Sequence, residues 1–169
     1  DRANEMLTKL SKFLRYSLDH SPLDRVSLSH ELETSKLYLD IEKVRFGERL
    51  QLEFAIDSDT QDALVPTMLL QPIIENSIKH GISKVESGGT IAIKARRDGQ
   101  QLIIEVSDDG PGLVSRDTLD AESALSNGVG VSNIRNRLRE IYNDQHKLEF
   151  LSVEPHGLTV KVVIPYESE

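Results

Sequence analysis

Apolar residues recur along this chain with two periods, and the switches between them mark out its elements. Leu7, Leu10, Leu14 and Leu18 repeat at intervals of three and four, which predicts a helix over residues 1–20. Phe13 and Tyr16 widen its apolar face, and Pro22 stops the run. Ser27 is placed to cap a second helix that ends near Phe46, with Gly47 just beyond. Glu31 and Glu33 suit its first turns through the helix dipole, while His30 stands where a capping box would carry Glu or Gln. Leu28, Leu32, Leu39 and Phe46 share one face, which Leu37, Ile41 and Val44 extend. Residues 49–56 then alternate as a strand, and Asp57 to Asp62 is an acidic, solvated turn.

Pro66 is expected to open the next helix, and Pro72 to kink or restart it. From there Ile73, Ile74 and Ile78 point to a core. Glu75, Asn76, Lys79 and His80 take the other side, and Gly81 caps the end. At i,i+4 spacing Glu75 can meet Lys79, and Asn76 can meet His80. Residues 90–97 and 101–107 form a hairpin across Asp98-Gly99. A polar stretch without period, Val114 to Asn127, is long enough to be a lid or a disordered loop. Gly128-Val129-Gly130 closes it, and Val131 to Tyr142 reads as a helix on Ile134, Leu138 and Ile141. Strands 147–153 and 158–164 finish the chain, joined through Glu154-Pro155-His156-Gly157.

Composition narrows the classes. The chain has 169 residues, 38% hydrophobic and 28% charged, which suits a folded domain of ordinary size, with or without a helical appendage. A formal charge of -8 and no basic stripe argue against nucleic-acid binding. With no cysteine there is neither a disulfide nor a thiolate metal site. No apolar run approaches the length of a membrane span, so direct membrane contact is not expected here. The start at Asp1 is read as that of an excised piece, whose parent could be a membrane protein.

The chemistry gathers at Asp108-Asp109-Gly110-Pro111-Gly112. A strand delivers Asp108 into a loop whose glycines let a ligand approach bare backbone. A carboxylate only accepts hydrogen bonds, so it suits an exocyclic amino group better than a phosphate. Asn76 and Glu75 offer hard oxygen donors suited to Mg²⁺, and Lys79 offers charge for phosphates, although such a face taken alone reads first as an ordinary wet helix surface with an i,i+4 ion pair. Gly128 and Gly130 before a helix could turn backbone N–H groups toward phosphate oxygens or act as a hinge. Arg135 and Arg137 could reach the same phosphates or be surface residues. The Asp108 loop lacks the third glycine of a dinucleotide fingerprint. Asp108 and Asp109 point to opposite faces and make no metal pair. His20, His30, His146 and His156 lack ligand spacing and read as surface.

In this order, Asn-x-x-Lys-His, Asp-x-Gly-x-Gly, polar lid and Gly-x-Gly before a helix, the motifs resemble those of the GHKL family. That family comprises histidine kinases, gyrase-type ATPases, MutL and heat-shock chaperones. Leu14-Arg15-Tyr16-Ser17-Leu18, the string from Tyr38 through Ile41-Glu42 to Arg45-Phe46, and Leu70 to Gly81 resemble the LytS/YehU-type sensor histidine kinases over nearly the whole chain. The resemblance implies the Bergerat fold, an α/β (α+β) two-layer sandwich. Its mixed, mostly antiparallel sheet is covered by helices on one face, with an N-terminal helical segment.

By that resemblance residues 1–22 end a dimerisation and phosphoacceptor region, and residues 23–169 form the ATP-binding catalytic domain. Asn76 binds Mg²⁺; Asp108 contacts the adenine amino group. Gly110 and Gly112 form one glycine box, Gly128, Gly130 and Val131 a second, with Val131 where Leu is usual. Lys79 and His80 adjoin the phosphates, and Thr159 helps hold adenine through water. The acceptor histidine, in an Asn-Pro-His-Phe motif upstream, does not occur in this chain. Pro72 occupies the place of the gyrase-like general base, leaving Glu75 as the nearest acid. The implied activity is transfer of the ATP γ-phosphoryl to that histidine and on to an aspartate of a response regulator, of LytTR type. The parent would be a homodimer through its N-terminal helices and a membrane sensor with this part in the cytoplasm. Other readings are a GHKL ATPase or anti-sigma-type serine kinase using the same pocket, or a non-catalytic interaction module.

Overall fold

A computed structural model describes residues 1–19, 21, 24–112 and 129–169. In chain order these form α1 (Arg2–Asp19), β1 (Arg25–Ser27), α2 (Leu28–Phe46), β2 (Leu50–Ile56), β3 (Leu64–Pro66) and α3 (Leu70–Asn76). A π-helical turn, Ser77–Gly81, continues α3. Then follow β4 (Gly89–Asp98), β5 (Gln101–Asp108), α4 (Val129–Tyr142), β6 (Lys147–Ser152) and β7 (Leu158–Pro165).

Five strands form the main sheet in the order β2-β4-β5-β7-β6. Only β2 and β4 run parallel; the other three junctions are antiparallel. The sheet is mixed and mostly antiparallel, as the resemblance implied. Alternation along each strand sends one set of side chains to the helices and the other outward. Ile93, Val106, Val160 and Phe150 stand opposite one another across four strands, all buried. Leu28, Leu32, Leu39 and Phe46 of α2, Ile73 and Ile74 of α3, and Ile134 and Leu138 of α4 close over that face in a single core. On the outward face Lys94 lies opposite Glu105, Glu105 opposite Lys161, and Lys161 opposite Glu149. Opposite charges at each junction favour this register over its neighbours.

Helix ends follow local chemistry. The Ser27 hydroxyl accepts from the His30 N–H at 3.3 Å, capping α2, and Gly47 ends it with φ +58°. The hairpin turns at Gly99, again at positive φ.

Several expectations need correction. Pro66 does not open a helix: it closes β3, which pairs with β1 in a separate two-stranded sheet. Three-residue strands are too short to show a period, so the pattern could not reveal them. Pro72 neither kinks nor restarts a helix, because α3 begins at Leu70 and the proline sits in its first turn, where no N–H is needed. α4 begins at Val129, so Gly130 belongs to its first turn. Pro22, the stretch Val114–Asn127 and Gly128 lie outside the described residues. Among the described residues no helix is long and apolar enough to cross a membrane.

Candidate functional site

Asp108 ends β5 opposite Ile91 of β4 and Leu158 of β7. Both are core positions, so the pleat turns the Asp108 carboxylate toward the helices, where an apolar side chain is expected. It is only 6% exposed. What makes room for it is Gly81, at the end of the π-turn: a Cβ there would lie 2.8 Å from the Asp108 Cγ and Oδ1. Gly110 completes the contact, since a Cβ on it would overlap the Cα of Gly81. The Gly110 N–H donates to Asp108 Oδ1 at 3.0 Å, and the Ser77 hydroxyl donates to the same carboxylate.

Burial pushes the Asp108 carboxyl above its ordinary value; the Gly110 and Ser77 donors pull it back, and Asp109 raises it further. Asp109 points the other way, as strand alternation requires. Its Oδ1 accepts from the Thr90 N–H at 2.7 Å, fastening the loop to β4. On the far side Gly112, at φ +74°, packs against Gly157, and the His156 ring nitrogen Nδ1 lies 3.2 Å from the Gly110 carbonyl. His156 is thus part of the loop's support.

The α3 helix and its π-turn set Ser77 and Gly81 against this carboxylate, and the same segment carries Asn76, Lys79 and His80. Asn76 is half-buried next to Ser77, while Lys79 and His80 are exposed. Burial, then the Lys79 and Lys84 cations, push the His80 imidazole below its ordinary value. The π-turn breaks the i,i+4 phase. Among the described residues no ion pair joins Glu75 to Lys79; instead Gln71 Nε2 donates to Glu75 Oε1 at 3.1 Å. Gly81 is not a left-handed cap, its φ being -97°; its role is the close approach to Asp108.

Thr159 stands opposite Ser107, hydroxyl to hydroxyl at 2.7 Å, one residue out of phase with Asp108 and so on the outward face. Gly130 and Val131 lie in the first turn of α4, whereas Gly128 is outside the described residues. Arg135 lies over the Phe150 ring at 5.7 Å. Arg137 turns inward, donating to the carbonyls of Thr67 and Met68, so it is not a surface residue. Nothing in the sequence marks Ser77, because a serine inside a helix carries no pattern. Asp109 is weighed there only as half of a metal pair, and its bond to the Thr90 N–H depends on a tertiary contact. Among the described residues no group of three or more His, Asp or Glu side chains could hold a metal ion. A metal here would therefore be held by an amide such as Asn76 together with ligand oxygens and water.

The sequence profile of the histidine kinase-, DNA gyrase B-, and HSP90-like ATPases matches residues 61–168, and the histidine kinase profile matches residues 1–50. Sensor histidine kinase BtsS of Escherichia coli (strain K12) is 36% identical over 170 residues, which cover 100% of this chain and 29% of BtsS. Sensor protein LytS of Staphylococcus haemolyticus is 30% identical over 172 residues, covering 98% of this chain and 29% of LytS. This chain thus spans under a third of those relatives. Among solved structures, the catalytic domain of histidine kinase ThkA superposes with a TM-score of 0.66 at 16% identity, over 84% of this chain and 94% of that one. At that identity the likeness speaks for the fold alone.

Two expectations follow from the geometry. Gly81→Ala should force the Asp108 carboxylate aside and lower stability by about 1–3 kcal/mol, measured by chemical denaturation; a neutral effect would contradict the contact. The pH dependence has a definite sign. A carboxyl whose folded pKa is raised binds protons more tightly when folded, so it favours folding in acid and costs stability as pH rises past that window. Asp108→Asn should therefore remove this component and raise the unfolding midpoint at neutral pH.

Proposed function

Because the chain belongs to the histidine kinase-, DNA gyrase B-, and HSP90-like ATPase family, we propose that its site binds ATP with Mg²⁺ as the catalytic domain of a two-component sensor histidine kinase. The observation that carries this reading is the Asp108 carboxylate, an acceptor-only group buried at a strand end and facing the end of the Asn76 helix. Such a group selects a ligand N–H donor, which the adenine amino group supplies and a phosphate does not. Burial sharpens the selection, because an unmatched acceptor there is left without water.

The residues divide the work by chemistry. Asn76 offers the hard amide oxygen for Mg²⁺, which when bound neutralises phosphate charge. Lys79 supplies mobile positive charge on the same turn, with His80 beside it. Gly110 and Gly112 let the loop close on the Gly81 and Gly157 backbones and so shape the base site, whereas Thr159, bonded to Ser107 on the outward face, is left without the adenine role that the resemblance implied. The first turn of α4, with Gly130 and Val131, and Gly128 before it, supply backbone N–H groups for phosphate oxygens. Glu75, oriented by Gln71, is the acid nearest Asn76 and the candidate base. The contribution of this domain is positioning and charge neutralisation rather than covalent chemistry. The γ-phosphoryl leaves ADP for a histidine nitrogen outside this chain, and from there passes to a response-regulator aspartate, the regulator being of LytTR type.

Residues 1–22 belong in this proposal to the dimerisation region and residues 23–169 to the catalytic domain. Leu7, Leu10, Leu14 and Leu18 support it: they form a stripe on α1 that is 41–83% exposed, while Phe13 and Tyr16, instead of widening that stripe as expected, turn to α2, where the Phe13 and Tyr38 rings are 5.9 Å apart and Tyr16 bonds Glu31. The same helix of a second copy is the natural cover for that stripe. The parent is proposed to be a membrane-associated sensor with this part on the cytoplasmic side.

Asp108→Asn and Asn76→Ala are each expected to abolish ATP binding, measured by calorimetry in the presence of Mg²⁺, while the chain stays folded. Unchanged affinity in both variants would overturn the assignment.

A further inference from the structure

Glu31 lies in the first turn of α2, where its charge suits the helix dipole, and it is 1% exposed. Four elements meet on its carboxylate. The Tyr16 hydroxyl of α1 donates to Oε2 at 2.7 Å. The N–H of Met68 donates to Oε2 at 3.2 Å and that of Leu70 to Oε1 at 3.1 Å, both at the start of α3. The Arg137 guanidinium of α4 attracts the same carboxylate. Arg137 also donates to the carbonyls of Thr67 and Met68, the latter at 3.0 Å. Met68, at φ +57°, is thus gripped on its N–H by Glu31 and on its carbonyl by Arg137, which holds a conformation that side-chain-bearing residues seldom adopt.

These contacts join distant parts of the mechanism. The turn held by Glu31 and Arg137 begins the helix that ends in Asn76 and the π-turn. The helix carrying Arg137 begins with Gly130 and Val131. Tyr16 is the buried residue of α1, and its ring also lies 5.0 Å from that of His30; the helix is further attached through the Phe13–Tyr38 ring contact, an exposed Lys9–Asp40 ion pair, a Ser17 hydroxyl 3.9 Å from the Met68 sulfur, and partly buried side chains. A buried carboxylate is a costly way to gain stability compared with apolar packing. What it can do, and an apolar group cannot, is tie the angle of three helices to a few directional bonds.

We propose that Tyr16, Glu31 and Arg137 form a latch through which the seating of α1 and the arrangement of the nucleotide site bias one another. Glu31 is the positioning residue, and the Tyr16 hydroxyl is the joint that releases. The inference rests on the nucleotide reading of the site, and linkage makes it reciprocal: if seated α1 favours nucleotide, nucleotide must seat α1.

Hydrogen exchange of this chain, with and without Mg²⁺ and a non-hydrolysable ATP analogue, tests it. In the wild type the analogue should slow exchange of the α1 amides around Tyr16 as well as those of residues 70–81. In Tyr16→Phe the slowing over α1 should vanish while that over residues 70–81 persists, and affinity for the analogue should fall about fivefold or more. A merely structural tyrosine would lower overall stability yet leave the α1 response in place, and that result would overturn the latch. So would wild-type α1 amides indifferent to an analogue that calorimetry shows to be bound. Failure of the wild type to bind the analogue would overturn the nucleotide reading and the latch with it. Should Tyr16→Phe not fold, the wild-type comparison decides alone.

Discussion

A carboxylate in a core row of a β-sheet is the constraint around which this domain is arranged. Asp108 occupies a place in β5 flanked by Ile91 and Leu158, where burial alone would select another apolar side chain. It is tolerated because the helix layer retreats at that point. Gly81 brings no side chain, Gly110 lies on the Gly81 backbone, and Ser77 presents a hydroxyl. The sheet thus carries one polar notch at the edge of a continuous core, and that notch is aimed at the helix end bearing Asn76. Burial raises this carboxyl above its ordinary value, so keeping it ionised in the core row costs stability.

Much of this was legible from the chain. Period-two alternation placed β2, β4, β5, β6 and β7 almost to the residue, and Asp98-Gly99 announced the hairpin turn. The Asn76 and Asp108 segments could be paired from motif order, and they lie against each other. What was illegible depends on tertiary contact. Gly81 carries the signature of a helix cap, and only the opposing Asp108 reveals it as a space-maker. Glu31 sits where a dipole-stabilising surface acid would sit, and nothing local says that Tyr16, Met68, Leu70 and Arg137 converge on it. Pro66 looks like a helix opener because β1 and β3 are too short to show alternation. Thr159 was matched to a motif, yet its register opposite Ser107 turns its hydroxyl away from the Asp108 side of the sheet.

The polar notch and the buried Glu31 sit at opposite ends of α3. One end of that helix is held by a carboxylate accepting backbone N–H groups; the other presses glycine against a second carboxylate. Between them runs an apolar stripe, Leu70, Ile73, Ile74 and Ile78, locked into the core. A short, well-packed helix pinned at both ends is a rigid element, and rigidity is what a site acting through positioning demands.

The most direct test of the account is nucleotide selectivity at Asp108. Calorimetry with Mg²⁺ should give clear binding of ATP and binding weaker by about a hundredfold or more for inosine triphosphate, which presents a carbonyl oxygen where adenine presents its amino group and so leaves a buried acceptor facing another acceptor. Equal affinity for the two nucleotides would contradict the account, because the base would then be held by something other than this carboxylate.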